Sequence, residues 1–419
     1  MMAAGQVTMT SGDPHLRPTT EDQVRDAVAW AAVEKTPLEI VGHGSKRAIG
    51  RPMQTAETLS LADLNGLTLY EPDELVLAAW AGTPLVEIEK VLAENNQRFE
   101  FEPMDYGPLL GEEPGRGTIG GMLAANLAGP RRLKAGAARD HVLGIRCVTG
   151  RGEIVKSGGR VVKNVTGYDL SKGLAGSWGT LAVLTEVTMK VLPRAQTEAT
   201  SVLFGLTDSD ATAAMSLAMG SSGEVASAAH LPESVKGRFI DGQLPRAATV
   251  LRLEGFGPSV DYRFERLAQL LAPFGPTERL DDAQSRQLWQ EVRDVKPFAD
   301  GTMRPVWRVS VAPMEGHALV AALRLKAGID AFYDWQGGLV WLRMEAGADA
   351  VGLRQAIRAV GGGHATLVRA APELRRSVDV FQPQPGPLAA LSARLKAEFD
   401  PIGILNPGRM AALKAPEPA

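Results

Sequence analysis

The sequence predicts an α+β protein of two main parts, and three observations lead to this fold class. First, 419 residues with 45% hydrophobic content are enough for two or three compact domains, each with its own core. Second, short strand-like runs alternate with amphipathic helical segments along the chain. Third, a polar connection at residues 193–200 interrupts this alternation, which then restarts, so two α+β units are expected.

The first part begins with a helix and then a strand that leads directly into a glycine-rich loop. Thr20 and Gln23 match a capping box, and apolar residues follow at helical spacing until Pro37 ends the segment. Residues 38–41 are a short apolar strand, and Gly-His-Gly-Ser-Lys follows at 42–46. A strand that runs into such a loop is suited to bringing backbone amides to a phosphate.

Two further glycine-rich segments follow in the same part, Gly-Thr-Ile-Gly-Gly at 117–121 and Gly-Ser-Trp-Gly-Thr at 176–180. Few Cβ atoms stand in the way there, so backbone N–H groups can hold a pyrophosphate without many cationic side chains. The other predicted elements of this part are strands at 58–61, 67–70, 75–79, 142–148, 153–156 and 181–192, and a helix at 85–92.

The second part is predicted to be an α+β unit whose helices lie on one face of a sheet, because single strands alternate with helices. Its strands are predicted at 202–205, 247–254, 306–311 and 339–344, and its helices at 211–219, 260–272, 317–325 and 350–360. A last helix at 388–399 leads into a compact, turn-rich C-terminal segment.

Composition excludes several classes of function. The formal charge of -3 gives no support for nucleic acid or an anionic membrane as the main partner. Cys147 is the single cysteine, so the chain alone can form neither an internal disulfide nor a four-cysteine metal site. No apolar run approaches the roughly 20 residues of a membrane helix, and a cytoplasmic protein is expected. Residues 1–14 are small, polar and aperiodic, which predicts a disordered lead.

Two familiar nucleotide-binding motifs do not fit the first loop. Gly42 and Gly44 begin a Rossmann fingerprint, but Arg47 occupies the position of its third glycine. A Walker A loop requires Gly-Lys-Ser or Gly-Lys-Thr, whereas the order here is Gly-Ser-Lys. The remaining interpretation is a diphosphate bound by loop amides, with Ser45 as a hydroxyl donor and Lys46 supplying charge or simply solvated.

The region from Arg17 to Arg194 resembles the FAD-binding domain of the vanillyl-alcohol oxidase, or p-cresol methylhydroxylase, type. The glycine-rich segments and the stretches 139–144 and 167–170 carry this resemblance. Three further runs, at 307–311, 379–383 and 404–409, extend it over nearly the full chain and resemble the FAD-binding second subunits of bacterial glycolate oxidases.

The resemblance implies a domain organisation and a set of cofactor-binding residues. It implies a two-part FAD-binding domain at 15–194, an α+β cap domain with an antiparallel sheet at 195–375, and a C-terminal segment at 376–419 that packs back on the FAD domain. The residues implied to bind FAD are Val41, Gly42, His43, Gly44, Ser45, Lys46, Gly117, Thr118, Gly120, Gly121, Asn126, Gly129, Arg139, Asp140, Gly144, Gly179 and Val183.

Non-covalent binding of FAD is expected. Some members of the superfamily attach FAD through a histidine directly before the loop serine, but Gly44 holds that place here and His43 precedes it. Asp140 is interpreted as a carboxylate that fixes a loop or orients the cofactor, and Cys147 as a small core residue.

Catalytic residues are not identified by the sequence. Oxidation of a 2-hydroxy acid by a flavin needs a cation for the carboxylate and a base or metal for the hydroxyl proton. Arg308, His364 and His230 are candidates. No two of the six histidines have metal-ligand spacing on one element, so no metal site is predicted. This contrasts with related D-2-hydroxy-acid dehydrogenases, and it places the metal-assisted substrate site in a homologous partner subunit.

Three functions stay open on the sequence. The resemblance implies an FAD-bearing subunit of a glycolate dehydrogenase complex that forms glyoxylate, passes electrons to a non-oxygen acceptor and has flavin-containing and iron–sulfur partners. Such a complex also allows peripheral attachment to the inner membrane. The alternatives are a self-sufficient flavin-dependent 2-hydroxy-acid dehydrogenase, and a non-catalytic assembly subunit that keeps the flavoprotein fold.

Overall fold

The computed structural model describes residues 15–160, 167–345 and 347–413. The predicted lead, residues 1–14, lies outside the described residues. The strands of the first part are β1 (His15–Leu16), β2 (Leu38–Val41), β3 (Glu57–Ser60), β4 (Leu67–Glu71), β5 (Val76–Trp80), β6 (Gln97–Arg98), β7 (Val142–Thr149), β8 (Ile154–Gly158), β9 (Ala182–Lys190) and β10 (Leu192–Pro193). Its helices are α1 (Glu21–Val33), α2 (Leu85–Glu94), α3 (Gly107–Leu110), α4 (Ile119–Ala124), α5 (Arg132–Ala135), α6 (Ala138–His141) and α7 (Leu170–Leu174).

The first part contains two sheets of different kinds. Strands β1, β3 and β2 form a parallel sheet in that order, and β4, β5, β9, β7 and β8 form an antiparallel one. Cys147 lies on β7 and is completely buried, which confirms its interpretation as a core residue. Burial raises the pKa of its thiol to about 12, so the thiol stays protonated near neutral pH.

The second part is built on one large sheet. Its strands are β11 (Thr197–Phe204), β12 (Ser227–Leu231), β13 (Ala248–Gly255), β14 (Thr277–Leu280), β15 (Val306–Ser310), β16 (Ile329–Asp334), β17 (Leu339–Met344) and β18 (His364–Arg369). They form an eight-stranded sheet, hereafter the cap sheet, in the order β14-β11-β13-β12-β16-β17-β15-β18. Every neighbouring pair is antiparallel, which confirms the expected antiparallel sheet.

Helices cover both faces of the cap sheet, whereas the sequence predicts them on one face. The remaining helices are α8 (Asp208–Met219), α9 (Gly257–Leu271), α10 (Asp282–Arg293), α11 (Gly316–Arg324), α12 (Ala350–Ala359), α13 (Pro372–Ser377) and α14 (Gly386–Phe399). Apolar residues of α8, α9, α11 and α12 pack on the outer face. On the inner face, Leu288, Trp289 and Val292 of α10 belong to the core shared with the first part.

The sequence patterns did not predict α10, although a capping box is present at its start. Asp281 accepts a hydrogen bond from the Gln284 N–H at 2.9 Å, and Gln284 bonds back to the Asp281 N–H. Two of its five buried residues, Ser285 and Glu291, are polar and interrupt the apolar stripe. Tertiary hydrogen bonds make their burial favourable, because Ser285 Oγ lies 2.7 Å from Thr200 Oγ1.

The C-terminal segment returns to the first part after α14. Leu405 pairs with Leu38 in a parallel bridge at the edge of the small sheet. The Asn406 side chain accepts a hydrogen bond from the Ile40 N–H and donates one to the Trp178 carbonyl, both at 2.8 Å. These contacts bring residues distant in sequence to the end of β2. The domain limits 15–194, 195–375 and 376–419 stay a prediction.

Candidate functional site

Three glycine-rich segments meet at one open cleft at the end of β2. The cleft lies between the first loop, the start of α4 and the turn before β9. Ten of the predicted cofactor-binding residues line it: Val41, Gly42, His43, Gly44, Ser45, Lys46, Thr118, Gly120, Gly121 and Gly179. The structure therefore brings together segments that the sequence only suggested as parts of one site.

Two of these glycines are required by close approach of neighbouring segments. A Cβ atom on Gly42 would lie 2.6 Å from Thr118 Oγ1, so the first loop and the start of α4 touch there. A Cβ atom on Gly120 would lie 2.7 Å from the Ala81 Cβ. Any other residue at these positions would push the walls apart and change the shape of the cleft.

The two loops differ in the hydrogen-bond donors that they leave free. Ile119, Gly120 and Gly121 at the start of α4 already donate to Thr83 O, Ala81 O and Thr118 Oγ1. In the first loop, by contrast, the backbone N–H groups of residues 43–46 donate no hydrogen bond within the described part of the chain. The N–H groups that are free to bind an anion are thus concentrated in the first loop. The second glycine-rich segment mainly leaves room for the ligand, because its glycines carry no side chains.

Lys46 extends across the cleft toward α4. Its ammonium donates to Ser45 Oγ at 3.3 Å, and a Cβ atom on Gly121 would lie 3.4 Å from its Nζ. Burial lowers the pKa of Lys46 to about 8. The negative charge of Asp105 opposes this shift, and the positive charge of Arg409 increases it. An anion beside the amine would favour its charged form, so the site suits an anionic ligand.

Arg409 lines the same cleft, although sequence reasoning did not include it among the site residues. Its guanidinium donates to the Lys46 carbonyl at 2.8 Å and lies 5.4 Å from the centroid of the Trp178 ring. Burial lowers its pKa to about 10. Its Nε, like His43 Nε2, is a buried polar atom without a hydrogen-bond partner among the described residues, and a ligand in the cleft can supply one.

The charges around the cleft favour a diphosphate. Lys46, Arg47, Arg116 and Arg409 line it, and no aspartate or glutamate is among its described lining residues. Arg47 and Arg116 are paired with Glu39 and Glu112, whereas Lys46 and Arg409 form no ion pair within the described residues. Free amides, the partly buried Lys46, the buried Arg409 and glycine walls together fit the pyrophosphate of a dinucleotide such as FAD.

Other predicted site residues lie outside the lining of this cleft. Gly117 precedes it and accepts a hydrogen bond from the Leu85 N–H at 2.8 Å. Val183 is completely buried in the core, because residues alternate along a strand and its neighbours Ala182 and Leu184 face the cleft instead. Their assignment to the cofactor stays a prediction.

The remaining predicted residues, at 126, 129 and 139–144, fix local structure. Asn126 Oδ1 accepts a hydrogen bond from the Arg139 N–H at 3.0 Å. Asp140 accepts one from the Ala137 N–H at 2.8 Å, as expected for a carboxylate that fixes a loop. A Cβ atom on Gly144 would lie 2.8 Å from the nitrogen of residue 159, and one on Gly129 would lie 2.3 Å from the carbonyl of residue 102.

The three substrate-site candidates occupy very different places. His230 is buried in the cap sheet, with Nδ1 3.0 Å from Thr249 Oγ1 and Nε2 3.3 Å from Asp208 Oδ1, as in a core histidine. His364 is exposed at the start of the edge strand β18. Arg308 is partly buried in the middle of β15, and it alone of the three stacks on Trp335, at 4.8 Å from the ring centroid. The structure brings none of them to the lining of the cleft.

Asp334, next to Trp335, is a buried carboxyl with few partners. It is 2% exposed and accepts a hydrogen bond from the Trp335 N–H at 2.7 Å. Burial raises its pKa to about 7; the charge of Glu102 raises it further, whereas Arg308 opposes this. The folded chain thus favours the protonated acid up to near-neutral pH.

This burial predicts a pH-dependent stability. An unfolded aspartate ionises near pH 4, so between about pH 4 and pH 7 the folded state binds more protons and the free energy of unfolding falls as pH rises, by up to roughly 4 kcal/mol. Asp334→Asn keeps the acceptor for the Trp335 N–H and removes the titration. We expect this variant to be the more stable one at pH 8 in urea unfolding, with a flatter profile. Parallel profiles for the two proteins would contradict the assignment.

Among the described residues, no group of three or more His, Cys, Asp or Glu residues is arranged to hold a metal ion. None of the helices in the described part of the chain is long and apolar enough to cross a membrane.

Comparison with known proteins decides the family. A family of FAD binding domains matches residues 14–158. Glycolate oxidase subunit GlcE of Escherichia coli is 37% identical over 401 residues, which cover 93% of this chain and 96% of that protein. This chain belongs to the GlcE family. It is therefore an FAD-binding, glycolate-oxidase-type subunit among the FAD-linked oxidoreductases, and the resemblance inferred from its motifs is confirmed.

More distant relatives match the GlcE-type chain over its first part or share its fold. Glycolate oxidase subunit GlcD of Bacillus subtilis is 28% identical over 45% of this chain and 38% of its own length. The structure of p-cresol methylhydroxylase with substrate bound superposes with a TM-score of 0.68 at 14% identity, covering 95% of this chain and 88% of that one. An alkyldihydroxyacetonephosphate synthase gives a TM-score of 0.69 at 17% identity, covering 94% and 75%. These structures confirm the p-cresol methylhydroxylase type of fold.

Proposed function

We propose that this chain binds FAD non-covalently in the cleft at the end of β2, as one subunit of a complex that oxidises glycolate to glyoxylate. The observation that carries the proposal is the combination in one cleft of free loop amides with two cations, the partly buried Lys46 and the buried Arg409, that form no ion pair within the described residues. The ten cleft-lining residues of the predicted set, together with Arg409, would hold the pyrophosphate and its neighbouring groups. FAD, when bound, supplies the acceptor for the two electrons of the alcohol.

The non-covalent linkage is testable by acid precipitation. The residue directly before Ser45 is Gly44, which offers no nucleophile, and its φ of +79° is a conformation that favours glycine. We expect trichloroacetic acid to release the yellow chromophore completely into the supernatant. Colour that stays in the pellet of the native chain but not of His43→Ala would instead identify His43 as an attachment site.

The partners proposed for this subunit are a homologous FAD-containing catalytic subunit and an iron–sulfur subunit. Relatives named as glycolate oxidase subunits support a multi-subunit complex. A single cysteine cannot ligate an iron–sulfur cluster by itself, so a relay of electrons to a non-oxygen acceptor would need a second polypeptide. We further propose that the complex works in the cytoplasm.

Anaerobic titration separates the proposed function from a self-sufficient dehydrogenase. Glycolate is added first to the isolated, flavin-loaded chain and then to the chain with its co-purified partners, while flavin absorbance near 450 nm is recorded. We expect rapid bleaching only in the complex. Full bleaching of the isolated chain would assign complete catalysis to this subunit, and a colourless chain in an active complex would overturn the flavin assignment.

A further inference from the structure

Arg308 projects from the cap sheet toward the first part of the chain. Side chains alternate across a strand, and Trp307 and Val309 of β15 lie in the outer core with α11 and α12. Val306, two residues before Arg308, lies in the core shared with the first part. Arg308 therefore occupies the inner face of the sheet, between the cap and the FAD-binding part.

The guanidinium of Arg308 lacks the partners that neighbouring arginines have. Arg343 and Arg369, on the strands flanking β15, both pair with Asp300. Arg308 makes no hydrogen bond and no ion pair within the described residues and is held by the Trp335 ring at 4.8 Å. A partly buried guanidinium with five free N–H donors is costly unless an acceptor binds to it.

The first part contributes two further donors near Arg308. The guanidinium carbon of Arg132, on α5, lies 5.9 Å from the centroid of the same Trp335 ring. Its nearest carboxylate, Asp140, is 3.7 Å away, so this charge is only weakly paired. Tyr106, just before α3, is 7% exposed, and its hydroxyl makes no hydrogen bond within the described residues. Burial raises the pKa of Tyr106, whereas the positive charge of Arg308 opposes this shift. The hydroxyl is therefore a neutral hydrogen-bond donor near neutral pH.

We propose that Arg308, Tyr106 and Arg132 bind the carboxylate of a small 2-hydroxy acid between the cap sheet and the FAD-binding part. The proposal rests on the proposed function, because it adds a substrate subsite to the flavin-binding subunit. A guanidinium binds a carboxylate through two parallel N–H donors, and a phenol hydroxyl completes the set. Trp335, whose ring both guanidinium groups approach, is anchored to the FAD-binding part, since its Nε1 donates to the Gly129 carbonyl at 2.9 Å.

The experiment titrates the flavin-loaded chain with oxalate, a small dicarboxylate that is not oxidised as an alcohol, and follows flavin difference absorbance and heat of binding. We expect saturable binding by the native chain, a loss of at least 30-fold in affinity for Arg308→Met, and about 5-fold for Tyr106→Phe. Arg308→Lys should recover part of the lost affinity, because lysine keeps the positive charge but lacks the two parallel N–H donors of a guanidinium. Ethylene glycol, a neutral probe of similar size, should bind to none of them.

Arg279→Met is the matched control. Arg279 also stacks on an aromatic ring, 5.2 Å from Phe264, but it is exposed and paired with Asp261, so its loss should leave oxalate affinity unchanged. Equal oxalate affinity of the native chain and of Arg308→Met, both with full flavin content, would overturn the subsite and leave the proposed function intact. Loss of flavin from a folded Arg308→Met would overturn it too, because the cation would then serve the cofactor. A native chain that takes up no flavin would contradict the proposed function itself.

Discussion

Replacing Gly121 with leucine is expected to abolish retention of FAD while leaving the chain folded. A Cβ atom at Gly121 would lie 3.2 Å from Thr118 Oγ1 and 3.4 Å from Lys46 Nζ, so the rest of a leucine side chain would occupy the cleft between these groups. Gly121 is in helix α4, where leucine has the higher helix propensity by roughly 0.5–1 kcal/mol. We therefore expect less than a tenth of the native flavin content, at a thermal midpoint equal to that of the native chain stripped of flavin.

A second helical glycine provides the control for this substitution. Gly173 lies on α7, is exposed, and has no heavy atom within 4 Å of an added Cβ. Gly173→Leu should bind FAD like the native chain, with the ratio of absorbance at 450 and 280 nm as the measure. A folded Gly121→Leu that retains full flavin would refute the assignment of this cleft to the cofactor.

The second large effect, on the affinity for FAD and its pH dependence, is expected from Lys46→Met. The free chain holds the pKa of Lys46 at about 8, and a bound diphosphate would raise it, so FAD affinity should be constant below pH 8 and fall by up to tenfold per pH unit above it. Lys46→Met should weaken binding at pH 7 by about 10- to 100-fold, the value of a charge-assisted hydrogen bond. It should also remove the pH dependence.

Fluorescence titration of apoprotein with FAD between pH 6.5 and 9.5 measures both quantities. Lys172→Met is the control, because Lys172 is half-exposed and paired with Asp169 on the surface. Its affinity and pH profile should match those of the native chain. An unchanged profile in Lys46→Met would mean that this amine does not face the diphosphate.

The first loop shows which properties of a binding site local sequence patterns can predict. A short apolar strand followed by glycines predicts a phosphate loop because both signals are local, and the structure leaves the amides of residues 43–46 free. The same pattern at 117–121 suggests a second set of amides, yet the N–H groups of residues 119–121 are bonded to Thr83, Ala81 and Thr118. Which amides stay free depends on neighbouring segments, and local glycine content carries no information about them.

Arg409 and α10 are two features that local sequence patterns did not predict. Arg409 is 363 residues from Lys46, and only the return of the C-terminal segment along β2 places its guanidinium in the cleft. Helix α10 buries Ser285 and Glu291, so its apolar periodicity is weak although it belongs to the shared core. In both cases the deciding interactions are long-range hydrogen bonds.

The sequence by itself determined the α+β class, most strands and long helices, the family and the glycine-rich character of the cofactor site, because these follow from local periodicity, turn residues and ordered motifs. The tertiary structure alone decided three further properties. It selected the free amides of the first loop, added Arg409 to the cleft, and separated Arg308 from His230 and His364 as a substrate-site candidate. Each of these three properties depends on which residues are neighbours in space. Burial and pairing with those neighbours set the charge of a side chain, its free hydrogen-bond donors and its accessibility.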